Sequence, residues 1–463
     1  SSLYSNTTGG NNIATGLQTL FSTTTGSNNV GVGHQALYTN TTADGNTAIG
    51  YQAAYYQTTA QYNTAVGWRS LFDCTTGSNN VGVGESSGAN ITTGTHNVAI
   101  GNTALFTNTT GTHNTALGYA ALYTSTGASN TAVGSNALLS NTTGSENTAV
   151  GFLALDANTT ANNNTALGYG ALTANTTGTQ NTAISQALQS TTTGNYNTAV
   201  GMYSGESNTT GSYNTAVGRS SLNQNTTASY NTAVGEHALY ANTTGASNTA
   251  VGTNALTANT TSIENSGFGK GALKACTTGS YNTGIGKEAA YTVTTGSFQV
   301  CLGAYARPAA GDTNNEIAIG YSAIGKGYGT SFIHPGNGSG DAYNGANSSS
   351  WATTSDRRIK KNIVNNTIGL DKINQITVHN FEYKTEDEIK TDNPELADVV
   401  ESAVVKKEGI QLGVIAQEIE TILPDVVKTQ STGVKSVDPD NLTWYLVNAI
   451  KELSAKVAAL EAG

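Results

Sequence analysis

Apolar and polar positions alternate in a fixed register from Asn12 to Gly320. The pentad Asn-Thr-Ala-Val-Gly occurs verbatim seven times, first at Asn63 and last at Asn248, and variants such as Asn-Val-Gly-Val-Gly at Asn29 fill the gaps. Nineteen pentads result, and their spacing is constant except for two steps that are shorter by one position. A fixed spacing of this kind indicates a repeat architecture in which each repeat is one structural unit.

Each pentad predicts a short β-strand. Its alternation places Thr and Val on one face and Asn, Ala and Gly on the other. A second apolar pair, such as Ala238–Leu239, begins the next side of the unit, and the following Asn-Thr-Thr-Gly supplies turn residues. No proline precedes Pro308, as a continuous hydrogen-bonded ladder requires. We therefore expect a mainly β fold in which residues 1–325 form a 17-residue β-solenoid, or β-roll, shaft.

The apolar content of one repeat raises the question of how such a shaft fills its core. A repeat offers only two or three aliphatic side chains, too few for a wide core within one chain. We therefore favour a trimer in which three chains share a core of Val, Ala and Leu, with Asn and Thr rows hydrogen-bonded outside. A solenoid closed within a single chain is the alternative.

Aromatic residues and histidines recur in two columns of the repeat. Stacked rings of this kind are typical of a rib that stabilises a ladder, and a sugar-binding platform is the alternative. His96 and His113 lie one repeat apart, but no carboxylate or cysteine joins them, so we expect no metal site there. The first column is Tyr62, His96, His113, Tyr196, Tyr213, Tyr230 and Tyr281, and the second is Phe21, Tyr38, Tyr55, Phe72, Phe106, Tyr123, Tyr240 and Tyr291.

The repeat fades after Gly320, and a different pattern follows. Residues 326–354 are rich in Gly, Ser and Asn and are expected to be a transition and linker. Residues 378–384 alternate as a strand, and residues 409–427 run from a strand into a short helix that Pro424 ends. We expect a small α+β domain over residues 355–463. It ends in a helix whose apolar residues step by four and three as in a coiled coil: Leu446, Ile450, Leu453, Val457 and Leu460.

Charge divides the chain at the same place. Residues 1–354 contain 7 Lys and Arg with 12 Asp and Glu, whereas residues 355–463 contain 13 and 18. Both parts are acidic overall, which argues against nucleic-acid binding, and no apolar run is long enough for membrane insertion. Cys74, Cys276 and Cys301 have no metal-ligand spacing, so neither metal nor cofactor is expected. No signal-peptide pattern opens the chain, so we expect no Sec-type leader in this sequence. Because Ser1 lies within a repeat, we expect a piece of a longer protein.

Four stretches of the carboxy-terminal part carry a family resemblance. They are SDRRIKKNI from Ser355, LDKINQITVHNFEY, GVIAQEIETILPDVV and NAIKEL. Together they resemble the intramolecular chaperone auto-processing domain found at the carboxy end of phage tailspikes and tail fibres, in endosialidases and in myelin regulatory factor. The repeats resemble, more loosely, the heads of trimeric autotransporter adhesins. The first resemblance implies a domain that trimerises, templates folding of the β-structure before it, and then cleaves itself off.

The same resemblance implies the residues that cleave. Ser355 would be the nucleophile, Lys360 its general base, and Thr354–Ser355 the scissile bond. A lysine can act as base only if its pKa falls well below about 10.4, and burial together with the neighbouring Arg357, Arg358 and Lys361 would lower it. Asp356 is expected to order the turn. His379 is the alternative base.

The sequence therefore predicts a phage tail fibre or spike-like protein that attaches to a host. We expect a homotrimer on the virion or at a cell surface, bound to a host receptor for which a glycan is a candidate. The only enzymatic activity expected is a single turnover of self-cleavage. A bacterial trimeric adhesin with the same chaperone domain is the alternative, and a polysaccharide-degrading spike is a third hypothesis, weakened because the shaft's carboxylates are scattered.

Overall fold

A computed structural model describes residues 1–334, 342–344, 357, 360–394, 409–429 and 433–462. Contacts divide the chain into two compact units, Ser1–Thr354 and Ser355–Gly463. The division falls where the charge content changes. Each unit is described by itself below.

The amino-terminal unit is a parallel β-solenoid of three-residue strands. Each strand pairs in register with the next strand along the chain; Thr232 lies opposite Thr249, and Val234 opposite Val251. The nineteen predicted pentads correspond to nineteen described strands, so the mainly β solenoid is confirmed. Strands β1 to β19 are Ile13–Thr15, Val30–Val32, Thr47–Ile49, Thr64–Val66, Val81–Val83, Val98–Ile100, Thr115–Leu117, Thr131–Val133, Thr148–Val150, Thr165–Leu167, Thr182–Ile184, Thr198–Val200, Thr215–Val217, Thr232–Val234, Thr249–Val251, Ser266–Phe268, Thr283–Ile285, Val300–Leu302 and Ile317–Ile319.

The two short steps of the repeat do not disturb this register. Thr115 pairs with Thr131 and Thr182 with Thr198, although each of these steps is one position shorter than the others. Both deletions fall in turns, where a shorter connection leaves the strand pairing unchanged.

The core of the solenoid closes within one chain. Ala233, Ala238 and Leu239 are fully buried, whereas the outward Thr232 and Val234 remain partly exposed. The predicted sharing of the Ala and Leu core between chains is therefore wrong, and the single-chain alternative describes the shaft. A narrow coil needs only small side chains and one leucine to fill it, so two or three aliphatic residues per coil are enough.

The asparagine rows lie inside this core, not outside as predicted. The backbone N–H of Asn231 donates to Asn214 Oδ1 at 3.0 Å, and its Nδ2 donates to the Gly245 carbonyl at 2.9 Å. Nδ2 of Asn242 donates to the same Gly245 oxygen at 2.9 Å and to Asn225 Oδ1 at 2.9 Å. The buried amides thus satisfy backbone groups that the turns leave unpaired, as buried polar groups require.

The outer rows behave as the sequence predicts. Thr243 Oγ1 donates to the Thr260 carbonyl at 3.1 Å, and the same bond recurs along its column. Aromatic rings also stack from coil to coil: Tyr213 lies 4.7 Å from Tyr196 and 5.1 Å from Tyr230 between ring centroids. His96 and His113 stack at 5.0 Å. Stacking within a column supports the interpretation of these rings as a rib.

A closing structure ends the solenoid within the segment predicted to be a linker. Strand β20, Ser331–Ile333, adds to the parallel sheet, and β21, Ala342–Asn344, pairs with it in the antiparallel direction. Glu316 takes the place of the buried Asn, and its carboxylate accepts hydrogen bonds from the N–H groups of Ala309 at 3.2 Å and Gly327 at 2.7 Å. The reversed strand stops the parallel ladder from continuing, which protects its edge.

The carboxy-terminal unit is the predicted small α+β fold with a terminal helix. Strands β22 and β23 pair antiparallel, as do β24 and β25. Its core is formed by Ile419, Leu423, Val426 and Tyr445. The elements are α1 (Leu370–Ile373), β22 (His379–Phe381), α2 (Glu386–Asp392), β23 (Gln411–Gly413), α3 (Ala416–Ile422), a 3-10 turn (Pro424–Val426), β24 (Val427–Thr429), β25 (Lys435–Val437) and α4 (Pro439–Glu461).

The buried asparagines generate a local stability prediction. Asn231→Ala removes the acceptor for the buried Asn248 N–H and one of the two side-chain donors to the Gly245 carbonyl, leaving that N–H unpaired at a cost of about 1–3 kcal/mol. Because repeat units unfold locally, hydrogen exchange by mass spectrometry should show faster exchange in peptides around residues 231–250. The control is Asn102→Ala, which removes an exposed amide bonded to Glu85. Unchanged exchange in Asn231→Ala would contradict the role given to the ladder.

Candidate functional site

The predicted cleavage site lies at the start of the carboxy-terminal unit. Two of its predicted residues, Arg357 and Lys360, are described, and both are exposed. The Lys360 N–H donates to the Arg357 carbonyl at 3.2 Å, so these two residues lie close together. Four predicted residues lie outside the described part of the chain: Thr354, Ser355, Asp356 and Arg358.

The electrostatic argument for Lys360 as a base rests on two effects, burial and like charge. Lys360 and Lys361 are both exposed, so the described residues of this chain do not supply the burial. His379, the alternative base, instead places Nε2 2.8 Å from Glu418 Oε2, which joins β22 to α3.

Side chains from α4 hold residues 366–370, in the segment that follows Lys360. Asn448 Nδ2 donates to the carbonyls of Asn366 at 3.0 Å and Ile368 at 3.2 Å. Glu452 Oε2 accepts from the Leu370 N–H at 3.1 Å. Residues about 80 positions apart in sequence are thereby joined, so α4 holds residues 366–370 in place.

Gly369 allows this close approach. It is buried, and a Cβ atom at this position would lie 2.6 Å from Glu452 Oε1 and 2.7 Å from the backbone nitrogen of Ala449. Such distances do not occur for real side chains, so only glycine lets the segment lie against the helix backbone. The sequence analysis missed Gly369, Asn448 and Glu452. The glycine directly before a helix start was the available signal.

The amino-terminal half of α4 is fixed firmly to the unit. Asp438 caps the helix by accepting from the N–H groups of Asp440 at 3.1 Å and Asn441 at 3.4 Å. The Lys428 ammonium, 2.7 Å away, holds the pKa of Asp438 below its ordinary value. Tyr445 donates its hydroxyl proton to Asp425 Oδ2 at 2.6 Å, and this bond raises the pKa of Tyr445.

A stripe of apolar residues along α4 is open to solvent. Leu446, Ile450, Leu453, Val457 and Leu460 are 43%, 66%, 51%, 44% and 81% exposed, respectively. The buried residues of the helix, Tyr445 and Ala449, lie along one edge of this stripe, about 100° and 60° around the helix from Leu446. We call the five exposed residues the helix seam.

Further apolar side chains of this unit are also exposed. Single exposed apolar residues are normal on a protein surface, so the helix seam, whose residues share one helix face, is the candidate interaction site. Besides the helix seam, the exposed residues include Ile363, Val364, Ile410, Leu412 and Trp444.

Two other functional classes find no support in the described residues. Within them, no three His, Cys, Asp or Glu side chains are grouped so as to hold a metal ion. The helices among the described residues are also too short or too polar for any of them to span a membrane.

Gly369 gives a sharp test of how this segment is held. Gly369→Ala should separate the segment from α4 and destabilise the unit by about 1–3 kcal/mol, because the added carbon overlaps helix backbone that cannot move aside. Urea unfolding of the full chain, followed by helical circular dichroism, measures the loss. Thr367→Ala, an exposed change two positions earlier, is the control. Equal midpoints for both variants would refute the close packing.

Comparison with known proteins identifies the carboxy-terminal segment. Residues 355–428 match the family model described as the chaperone of endosialidase. No curated protein and no solved structure matches the chain significantly. The match begins at Ser355, the first residue of the carboxy-terminal unit. A long β-solenoid followed by a segment similar to the chaperone of endosialidase fits a tail-fibre or endosialidase-type protein that carries this chaperone domain.

Proposed function

We propose that this chain is a trimeric phage tail fibre or spike-like protein that attaches the virion to its host. Its carboxy-terminal unit drives trimerisation and folding of the solenoid and then releases itself by cleaving the Thr354–Ser355 bond. The observation that carries the proposal is the match to the chaperone of endosialidase, which begins at Ser355 directly after a shaft of nineteen similar coils. That family is one of self-cleaving intramolecular chaperones.

A shaft of this kind needs a separate folding nucleus. Its coils bury the same residue types and make the same hydrogen bonds, so a slip by one whole coil costs little locally. A carboxy-terminal unit that first brings three chains into phase removes this ambiguity before the coils stack.

The helix seam supplies the surface for trimerisation. Its residues step by four and three along α4, the spacing at which parallel helices interlock side chains. Five large apolar side chains exposed on one helix face are costly for a single chain in water. Burial of the seam between three copies of α4 removes that cost.

The proposed cleavage is an acyl transfer followed by hydrolysis. Lys360 takes the proton of the Ser355 hydroxyl, whose oxygen attacks the Thr354 carbonyl carbon. The amide nitrogen leaves as the protonated amine of Ser355, and an ester to the serine oxygen remains. Water then hydrolyses this ester and yields the Thr354 carboxylate. Because nucleophile and scissile bond are adjacent, no substrate binding is required.

Attachment would use the released shaft. The outward rings of the solenoid, among them Tyr196, Tyr213 and Tyr230, form stacks that remain about half exposed. Aromatic rings of this kind suit a glycan receptor on the host surface.

The cleavage proposal predicts a specific fragment pattern. The full chain should yield two pieces on denaturing electrophoresis, Ser1–Thr354 and Ser355–Gly463, with Ser355 as the new amino terminus by mass spectrometry. Ser355→Ala and Lys360→Ala should each leave the chain intact, lowering the cleavage rate by at least about 100-fold.

Lys361→Ala is the matched control, because it removes a neighbouring cation but leaves the base in place, so it should still cleave, more slowly than the unchanged chain but far faster than Lys360→Ala. Fragments that persist in both Ser355→Ala and Lys360→Ala would eliminate this pair as the catalytic residues.

The helix seam predicts the oligomeric state. Light scattering should report three chains for the uncleaved Ser355→Ala protein. Adding Ile450→Lys together with Leu453→Lys should reduce the particle to one chain, because the lysine charges of three helices cannot be buried together in a dry seam. Ser454→Lys adds the same charge beside the seam and should keep three chains. A trimer that survives the double change would place the trimer contacts elsewhere.

A further inference from the structure

One row of side chains on the solenoid is apolar yet directed outward. The first and third residues of every strand point away from the core, while the middle residue points into it. The third position holds Val, Ile, Leu or Phe in every strand from β2 to β19; only β1 has a polar residue there, Thr15. We call the first and third positions of β1–β19 together the strand face.

The strand face differs from the rest of the solenoid surface. Its third positions are all at least partly exposed, and Ile49, Leu117, Leu167 and Ile285 are each more than 40% exposed. None of the Lys, Arg, Asp and Glu residues before Ser355 lies on it. Charges such as Arg219 and Glu236 lie instead in the turn that follows the strand, where they pair with each other. An unbroken apolar row without charge is the composition of an interface core.

The dimensions of the strand face suit a stable interface. Three residues of about 3.3 Å by nineteen coils of about 4.8 Å give about 900 Å² per chain. A stable pairwise interface buries about 800 Å² on each partner, so this face, divided between two neighbours, supplies about half of that for each pair and adds to the contacts of the helix seam.

We infer that the strand face packs against the same face of two other copies of this chain. This inference rests on the proposed trimer and adds to it the surface by which the shafts meet. The valine row then fills the centre between three solenoids, each of which keeps its own Ala, Leu and Asn core. When the three copies are aligned coil by coil, the same residue of each copy lies at the same height around the shared axis, so the valine row of one copy contacts the valine rows of the other two.

Other copies of the chain fit this surface better than an unrelated partner does. The apolar row repeats at one coil, so a partner must present the same spacing over nineteen coils to cover it. A second solenoid with the same coil rise does so. The helix seam also calls for copies of the same chain.

Disulfide formation between copies tests the inference. Val217→Cys places a thiol on the strand face, and Thr227→Cys places one on an exposed turn of the same coil. The natural cysteines give little background, because they are buried and burial raises the pKa of Cys74 and Cys301 to about 12 and of Cys276 to about 11.

Dilute full-length protein is oxidised, and its mass in solution is measured in parallel. Val217→Cys should convert about two-thirds of the chains to covalent dimers, because three thiols around one axis can form only one bond at a time. Thr227→Cys should stay at background. That difference in a three-chain particle supports the inference.

The remaining outcomes overturn different statements. A three-chain particle in which Val217→Cys does not crosslink, or crosslinks no more than Thr227→Cys, refutes the strand face as the interface and leaves the proposed trimer standing. A monomeric particle refutes both the proposed trimer and the inference.

Discussion

The hydrogen bond that each coil makes to the buried asparagine of the preceding coil is the constraint from which the amino-terminal unit follows. The backbone N–H of Asn248 bonds Asn231 Oδ1 at 3.0 Å, and the same bond recurs in most coils. The asparagine side chain must lie inside the coil to accept from this N–H. Beside it, the coil has room only for alanine and one leucine. That leucine is held at a positive φ, 50° at Leu239, a conformation that costs about 1–2 kcal/mol and that burial of its side chain offsets.

Repetition of this bond has a consequence for assembly. Each coil contacts only its neighbours, so stability grows by equal increments and carries little information about which coil belongs where. Deviations from the repeat are the few places where that information exists. Asn108, fully buried between Ile91 and Ser125 of its column, has no partner for either polar side-chain atom, and Gln299 and then Glu316 replace asparagine at the end of the buried row. The rest of the phase must come from outside the repeat, which is the physical reason for a chaperone unit.

The sequence predicts this architecture well where information repeats and poorly where it does not. Nineteen copies of one pattern determine strand number, spacing and the faces of Asn, Thr, Ala and Val, because errors at one copy are outweighed by the others. The same pattern wrongly predicts that the asparagine rows lie on the outside. A polar residue is expected at the surface, and only the turn geometry shows that its amide pairs with the backbone. Gly369 was missed for the opposite reason: its contacts with Ala449 and Glu452 join distant parts of the sequence and occur once.

One short stretch of α4 links assembly to the candidate cleavage site. Asn448 and Glu452 hold the segment that follows Lys360, while Ile450 and Leu453 lie within or next to the same turn of helix and point outward on the helix seam. A helix with one face exposed to solvent is free to fray, whereas a helix packed on both sides is not. In the proposed trimer, three helices would close the seam and so hold the two side chains that position the segment more rigidly. A serine beside its own scissile bond depends on such positioning, because small displacements of a reacting group reduce its rate strongly. Coupling of this kind would let cleavage follow trimerisation rather than precede it.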